Sequence, residues 1–214
     1  MKRLFLILFL ILSINIFAQH NEISATMGID FMSTPAFRDY INQNYAAGEE
    51  ISDFNSAVQF TLKYGRLLNP NFMVAGEVGY QIFSYNNFFS LGQYDITINS
   101  IMPNVLAYYV IAGDGYNFKL GGGAGLRLLY ITEKRPGDPN LSDYLASGFG
   151  IILRGEGTTR IDGNLHAHIG GDIRYDLAGK PEPDQSGTSS NRSFEEVEFN
   201  SLIVGIRLGI SYYF

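Results

Sequence analysis

The 214-residue chain contains no cysteine and no tryptophan. Without cysteine there can be no disulfide framework, and no lipid can be attached through a thiol after the N-terminal apolar run. Charge is also scarce. Asp, Glu, Lys and Arg make up 17% of the chain, below the ~25% typical of soluble domains, so there is too little charge to cover an ordinary water-facing surface. Basic residues are the scarcest kind: setting aside Lys2 and Arg3 leaves 13 against 21 acidic, a net charge of −8. Such an acidic chain does not suit nucleic acid, whose phosphates need a basic surface. Beyond the first 18 residues no long apolar run occurs. If the chain lies in a membrane, it does not cross as helices.

The N-terminus has Lys2 and Arg3, the apolar run 4–12, and then the segment 13–18 ending in Ala18. A basic start, a short apolar core and a small residue before a polar segment describe a secretory signal peptide cleaved after Ala18. The apolar core is shorter than the ~20 residues a spanning helix needs. The expected organisation is therefore a signal peptide over 1–18 and a single domain over 19–214.

What the chain has in quantity is Gly (24), Phe (16) and Tyr (14), set in segments that alternate with period two. Residues 199–214 are the clearest. Leu202, Val204, Ile206, Leu208, Ile210, Tyr212 and Phe214 share one face, opposite Ser201, Ile203, Gly205, Arg207, Gly209, Ser211 and Tyr213. That is the period of a pleated strand. Similar alternation predicts eight strands, at about 22–31, 54–66, 72–84, 94–111, 116–132, 144–155, 160–176 and 199–214. The expected fold is all-β, an eight-stranded antiparallel up-and-down transmembrane β-barrel.

A soluble lipocalin-like barrel has the same period with its apolar face inward, so alternation alone leaves the two open. The complementary face separates them. It carries Gly28, Gly79, Gly121, Gly123, Gly125, Gly205 and Gly209, a poor solvated surface but a good wall for a narrow lumen. Link lengths agree. Long links at 32–53, 84–93, 133–143 and 177–198 alternate with short ones at 67–71, 112–115 and 156–159, as in barrels with long external loops and short periplasmic turns. Six of the seven prolines fall in links, and Pro103, inside the fourth strand, is expected to mark a bulge or bend.

Three stretches carry a family resemblance: Ser100-Ile101-Met102-Pro103 running into Leu106-Ala107-Tyr108-Tyr109, the Gly-rich 121–126, and the terminal Tyr212-Tyr213-Phe214. The mature chain resembles the outer-membrane β-barrel domain proteins related to OmpA- and OmpX-type barrels. The resemblance implies residence in the bacterial outer membrane, among its lipid and lipopolysaccharide. It also implies an assembly signal at Tyr212 and Phe214 read by the barrel assembly machinery. No peptidoglycan-binding domain is expected after the last strand, and the family has no catalytic residues in common.

Strand parity turns Lys63, Glu77, Arg127, Asp162, His166, His168, Asp172, Arg174 and Arg207 inward. Enclosed charges must pair, because an unpaired one costs several kcal/mol. The expected arrangement pairs Glu77 with Arg207 or Arg127 and sets His166 or His168 beside Arg207; the alternative is a loosely hydrated lumen. His166 and His168 with Asp172 match no established metal spacing and read as lumen histidines. A lipid A-modifying enzyme would need an outward histidine near its lipid, and none is expected. Gly121–Gly125 lacks the helix a phosphate loop requires. The external loops are acidic (Asp39, Glu49, Glu50 and Asp53; Glu182, Asp184, Glu195, Glu196 and Glu198) without calcium-loop spacing; they read first as a solvated surface that keeps the loops extended, with a binding patch for a basic partner or for divalent cations as the alternative. No cofactor, metal or catalytic residue is expected. An eight-stranded barrel has a lumen filled by side chains, so the expected role is membrane integrity or surface binding, with a small-solute or hydrophobic-compound conduit as the alternative.

Overall fold

The computed structural model describes residues 21–45, 55–89, 92–138, 140–184 and 192–214. The signal segment, Glu49, Glu50 and Asp53 lie outside these. Eight long strands form the body: β1 (Asn21–Ser33), β2 (Asn55–Asn69), β3 (Phe72–Phe89), β4 (Gly92–Gly113), β5 (Tyr116–Lys134), β6 (Leu141–Asp162), β7 (Leu165–Leu177) and β9 (Ser201–Tyr213). A two-residue strand, β8 (Glu182–Pro183), pairs with the start of β6. Every sequential neighbour is antiparallel, and β9 pairs with β1 from Glu22↔Tyr213 to Ser33↔Leu202. That pairing closes the sheet into a ring with no free edge at the level where all eight long strands run side by side. Closure is what lets strands cross a bilayer, because every backbone donor and acceptor then has a partner.

Which face lies outside is settled by the last strand. Ile206 is 57% exposed and Arg207 only 3%, and the same alternation runs around the cylinder. The outward positions from Leu202 to Tyr212 span ten residues. At about 3.3 Å per residue and the ~40° tilt usual for such strands, this gives a belt of about 25 Å, the height of a bilayer's apolar layer. Among the described residues no helix is long and apolar enough to cross a membrane; the crossing is made by strands.

At one end the strands are joined by two-residue turns at 70–71, 114–115 and 163–164. Gly115 and Gly163 take positive φ there, +79° and +49°, a region open to glycine without strain. At the other end β3 and β4 are separated only by residues 90–91, and the three remaining connections are longer, including α1 (Pro35–Asn44) and the single turn α2 (Arg192–Glu195).

Three sequence expectations need correction. The sixth link is not at 156–159: β6 runs on to Asp162, which makes Glu156 a lumen residue and leaves Asp162 exposed at the turn. The link at 84–93 is mostly strand, since β3 and β4 pair out to Phe89↔Gly92. Above the bilayer both faces of a hairpin can meet water, so the apolar alternation that marks a strand lapses while its pairing continues. Pro103 makes no bulge. Ile101↔Leu128 and Asn104↔Gly125 keep one register across it, so the missing N–H interrupts the ladder without shifting it.

Candidate functional site

The lumen is filled in two layers. The lower and middle part holds six basic side chains, Lys63, Lys119, Arg127, Arg154, Arg174 and Arg207, and six acidic ones, Glu22, Asp30, Glu77, Glu156, Asp172 and Asp176, all buried. Strand alternation brings them there: each lies in the inward phase of its strand, and the strands supply them at staggered heights.

Nearest the short-turn end, Glu156 accepts from Lys63 and, at 3.0 Å, from the Tyr108 hydroxyl. Lys119 Nζ lies 2.6 Å from Glu22 and 3.3 Å from Glu156. Lys63 Nζ also approaches Glu22, at 3.8 Å. Above this, Arg154 bridges Glu77 and Asp172, with its Nη2 3.0 Å from Glu77 Oε1 and 3.1 Å from Asp172 Oδ2. Arg207 binds Asp172 and reaches Gln59 Oε1 at 3.2 Å. Higher still, Arg174 pairs with Asp30 at 3.2 Å and Asp176 at 2.9 Å, Arg127 pairs with Asp176 at 2.5 Å, and Gln81 donates to Asp30 at 2.6 Å.

The second layer is apolar and closes the long-loop mouth. Phe37, Tyr40 and Ile41, one buried face of α1, pack with Phe194, Val197 and Phe199 onto Phe83, Ile98, Leu129 and Ile131 of the wall. Phe37 stacks on Phe199 with centroids 5.8 Å apart and meets Phe83 edge-on at 6.4 Å. The seventh buried carboxylate, Glu133, sits in this layer and accepts from the Tyr40 and Tyr94 hydroxyls at 2.9 and 3.0 Å. Burial, reinforced by Glu133, pushes the Tyr40 phenol well above its ordinary pKa, so it stays a donor. Between the layers lies a cavity of about 30 Å³ beside Arg127, Asp176, Gln81 and Phe37, with room for a water or two.

Lys63, Glu77, Arg127, His166, His168, Asp172, Arg174 and Arg207 all lie inside, but several partners differ from expectation. Glu77 pairs with Arg154, and Gly170, not a histidine, faces Arg207 across the β7–β9 ladder. His168 Nδ1 lies 2.9 Å from Ser211 Oγ, while His166 Nδ1 rests on the Asn164 carbonyl at 3.1 Å and its ring meets Tyr213 edge-on at 4.6 Å. Arg154, Glu156, Lys119, Glu22, Asp30 and Asp176 are lumen charges that the inward set read from the sequence does not contain. Glu156 was hidden by the misplaced turn. Tyr212 and Phe214 lie outward with rings stacked at 6.1 Å.

Two arrangements resemble reactive sites. Glu22, Glu156 and His168 place one ligand atom each within 4.8 Å of one another. Both carboxylates already hold lysine ammonium groups, however, and a cation would have to enter against that charge. His166 and Asp172 take no part in this cluster. Ser211, linked to His168 and donating to Glu22 at 3.0 Å, has the residue types of an acyl-transfer triad. Yet Ser211 is 1% exposed and His168 3%, and both are sealed inside the network.

No family profile matches the chain, and no curated protein does. Solved structures do. Neisserial surface protein A is 15% identical with a TM-score of 0.56, over 93% of this chain and all of its own. The attachment invasion locus protein Ail of Yersinia pestis is 13% identical with a TM-score of 0.51, over 92% of this chain and all of its own. The outer membrane protease OmpT of Escherichia coli is 9% identical with a TM-score of 0.50, over 94% of this chain and 99% of its own. A surface protein, an attachment protein and a protease share this architecture, so the likeness speaks for fold and not for activity. With its closed antiparallel ring, apolar outer belt and charged interior, the chain has the fold of the eight-stranded outer-membrane β-barrels.

Proposed function

We propose that this protein is a non-enzymatic barrel of the bacterial outer membrane that acts through envelope integrity and through what its external loops meet. The observation that carries this reading is the filled lumen. Six balanced ion-paired charges of each sign occupy its lower and middle part, and an aromatic cap stops its outer mouth. A steady conduit would need both layers to part. The burial of the Ser211 and His168 side chains within the ion-paired network supports the non-enzymatic part. The partners we infer are outer-membrane lipid and lipopolysaccharide around the belt and the assembly machinery at the Tyr212–Phe214 edge. At the loop surface, where Asp39, Glu182 and Glu196 are exposed, we infer contact with a surface ligand. Export would use the 1–18 segment as a signal peptide.

Planar-bilayer recording of the purified protein tests the lumen. No discrete openings are expected, and stepwise conductance of porin size overturns the reading. Recovery in the outer-membrane fraction, with a band whose mobility changes on boiling, is expected alongside.

A further inference from the structure

At the short-turn mouth the lumen opens into a vestibule of about 260 Å³. Its two arcs differ in chemistry. Leu67, Pro70, Met73 and Val110, from β2, β3, β4 and the turn at 70–71, make one arc apolar. Asn117, Lys119, Arg160 and His166, from β5, β6 and β7, make the other polar. Lys119 is committed to Glu22 and Glu156 in the ceiling. Arg160 is different: it lies at the rim of β6, exposed, and makes no ion pair among the described residues. Residues 1–20 contain no acidic side chain to neutralise it. His166 donates Nδ1–H to the Asn164 carbonyl, which leaves its Nε2 an acceptor, so Arg160 is the anion-binding group of this arc.

A concave site with one guanidinium outside any ion pair on one side, facing aliphatic side chains on the other, suits an amphiphile with a single negative charge. The volume falls below the ~300 Å³ at which small-molecule pockets usually begin, so the apolar part must be short. We propose that the vestibule binds a short-chain monocarboxylate from the inner side of the membrane. Its head sits on Arg160, and its tail on Leu67, Met73 and Val110.

Methionine-methyl NMR of the protein in lipid nanodiscs tests this, with sodium hexanoate as the probe. Met73 lines the vestibule, Met27 lies on the lipid face and Met102 is buried in the lumen wall. Hexanoate is expected to shift the Met73 methyl saturably while Met102 stays still and Met27 moves at most linearly, as simple partitioning into lipid would make it. Arg160→Gln is expected to weaken binding about tenfold or more, Arg160→Lys to retain most of it, and hexylammonium to give no saturable shift. Arg160 is exposed, so both variants should keep the folded gel mobility; should either lose it, the wild-type titrations of hexanoate and hexylammonium decide alone. A Met73 methyl that does not respond, one that only tracks Met27, or equal saturation by hexylammonium overturns the proposal.

Discussion

Replacing Glu156 by Gln tests whether the lumen charges are a dry, ordered network or a wet and loosely matched set. The side chain is 1% exposed and meets Lys63, Lys119 at 3.3 Å and the Tyr108 hydroxyl at 3.0 Å. Glutamine keeps the shape and an acceptor for Tyr108 but removes the charge, leaving Lys63 and Lys119 to share Glu22. At an effective dielectric of 20, one unit pair at 3.3 Å is worth about 5 kcal/mol. Measured losses on removing one partner of a buried pair run to about 3–5 kcal/mol. The expected loss for Glu156→Gln is therefore about 3–5 kcal/mol, read as a lowered urea midpoint of the barrel in lipid vesicles, with folded fraction scored by gel mobility. Lys63→Met combined with Glu156→Gln leaves the balanced pair Lys119–Glu22 and should lose only about 0–2 kcal/mol, because removing both members of a buried pair is often close to neutral. The coupling between the two sites should thus reach about 2 kcal/mol or more, in the upper part of the range for residues in contact. A single variant within about 1 kcal/mol of wild type, the scale of an exposed pair, would show that water screens the lumen. A double variant as damaging as the sum of the singles would refute the pairing itself.

Other consequences follow from the same geometry. Ile206→Lys, placing a charge on the lipid face, should destabilise by about 2–4 kcal/mol near the bilayer midplane, and an unchanged urea midpoint would contradict the lipid-facing assignment. Gly123→Ala puts a Cβ 2.1 Å from the Val105 carbonyl oxygen, whereas a Cβ at Gly76 meets nothing within 4 Å. The first should cost at least 1–3 kcal/mol through overpacking, and the second should be neutral or stabilise slightly; equal folded yields would refute the contrast. Phe37→Ala removes a buried ring from the mouth cap, and at about 3 kcal/mol of lost packing it should raise hydrogen exchange of the α1 amides on the order of a hundredfold, with the strands between Glu22 and Glu77 unaffected.

The wall was legible in the sequence because a membrane barrel writes its two surroundings into alternate residues. Ile206 and Arg207 could be assigned before any coordinates, since lipid and a crowded lumen demand opposite chemistries at neighbouring positions. The reading failed where that contrast fades. Above the bilayer, residues such as Ser84 and Asn86 in β3 continue the ladder with water on offer to both faces, and no periodicity marks them. Near the inner rim, Gly155, Gly157, Thr158 and Thr159 blur the alternation, so the turn was placed at 156–159 instead of 163–164 and Glu156 was taken for a turn residue. The helix α1 was missed for a different reason. Its apolar spacing, Phe37, Tyr40 and Ile41, is helical, but it lies in a segment whose polar composition resembles a loop.

Pairing across the lumen was not legible, and the geometry explains why. Neighbouring strands can be matched by register, and Lys119 and Arg154 do meet the residues opposite them, Glu156 and Asp172, but other ion pairs reach past the neighbouring strand. Lys63 on β2 meets Glu156 on β6, and Lys119 on β5 meets Glu22 on β1, each pair separated by half the ring. Arg174 on β7 crosses to Asp30 on β1, and Arg154 on β6 to Glu77 on β3. Such partners exist only once the cylinder has closed, because an open sheet holds β2 and β6 far apart. Closure therefore satisfies the β1–β9 ladder and the cross-lumen struts in one event. A half-formed sheet gains neither while still carrying charged side chains that are costly to bury alone. Cooperativity in this barrel then lies in its interior as much as in its backbone ladder, and the sequence distance between partners measures how much of the ring each strut ties together.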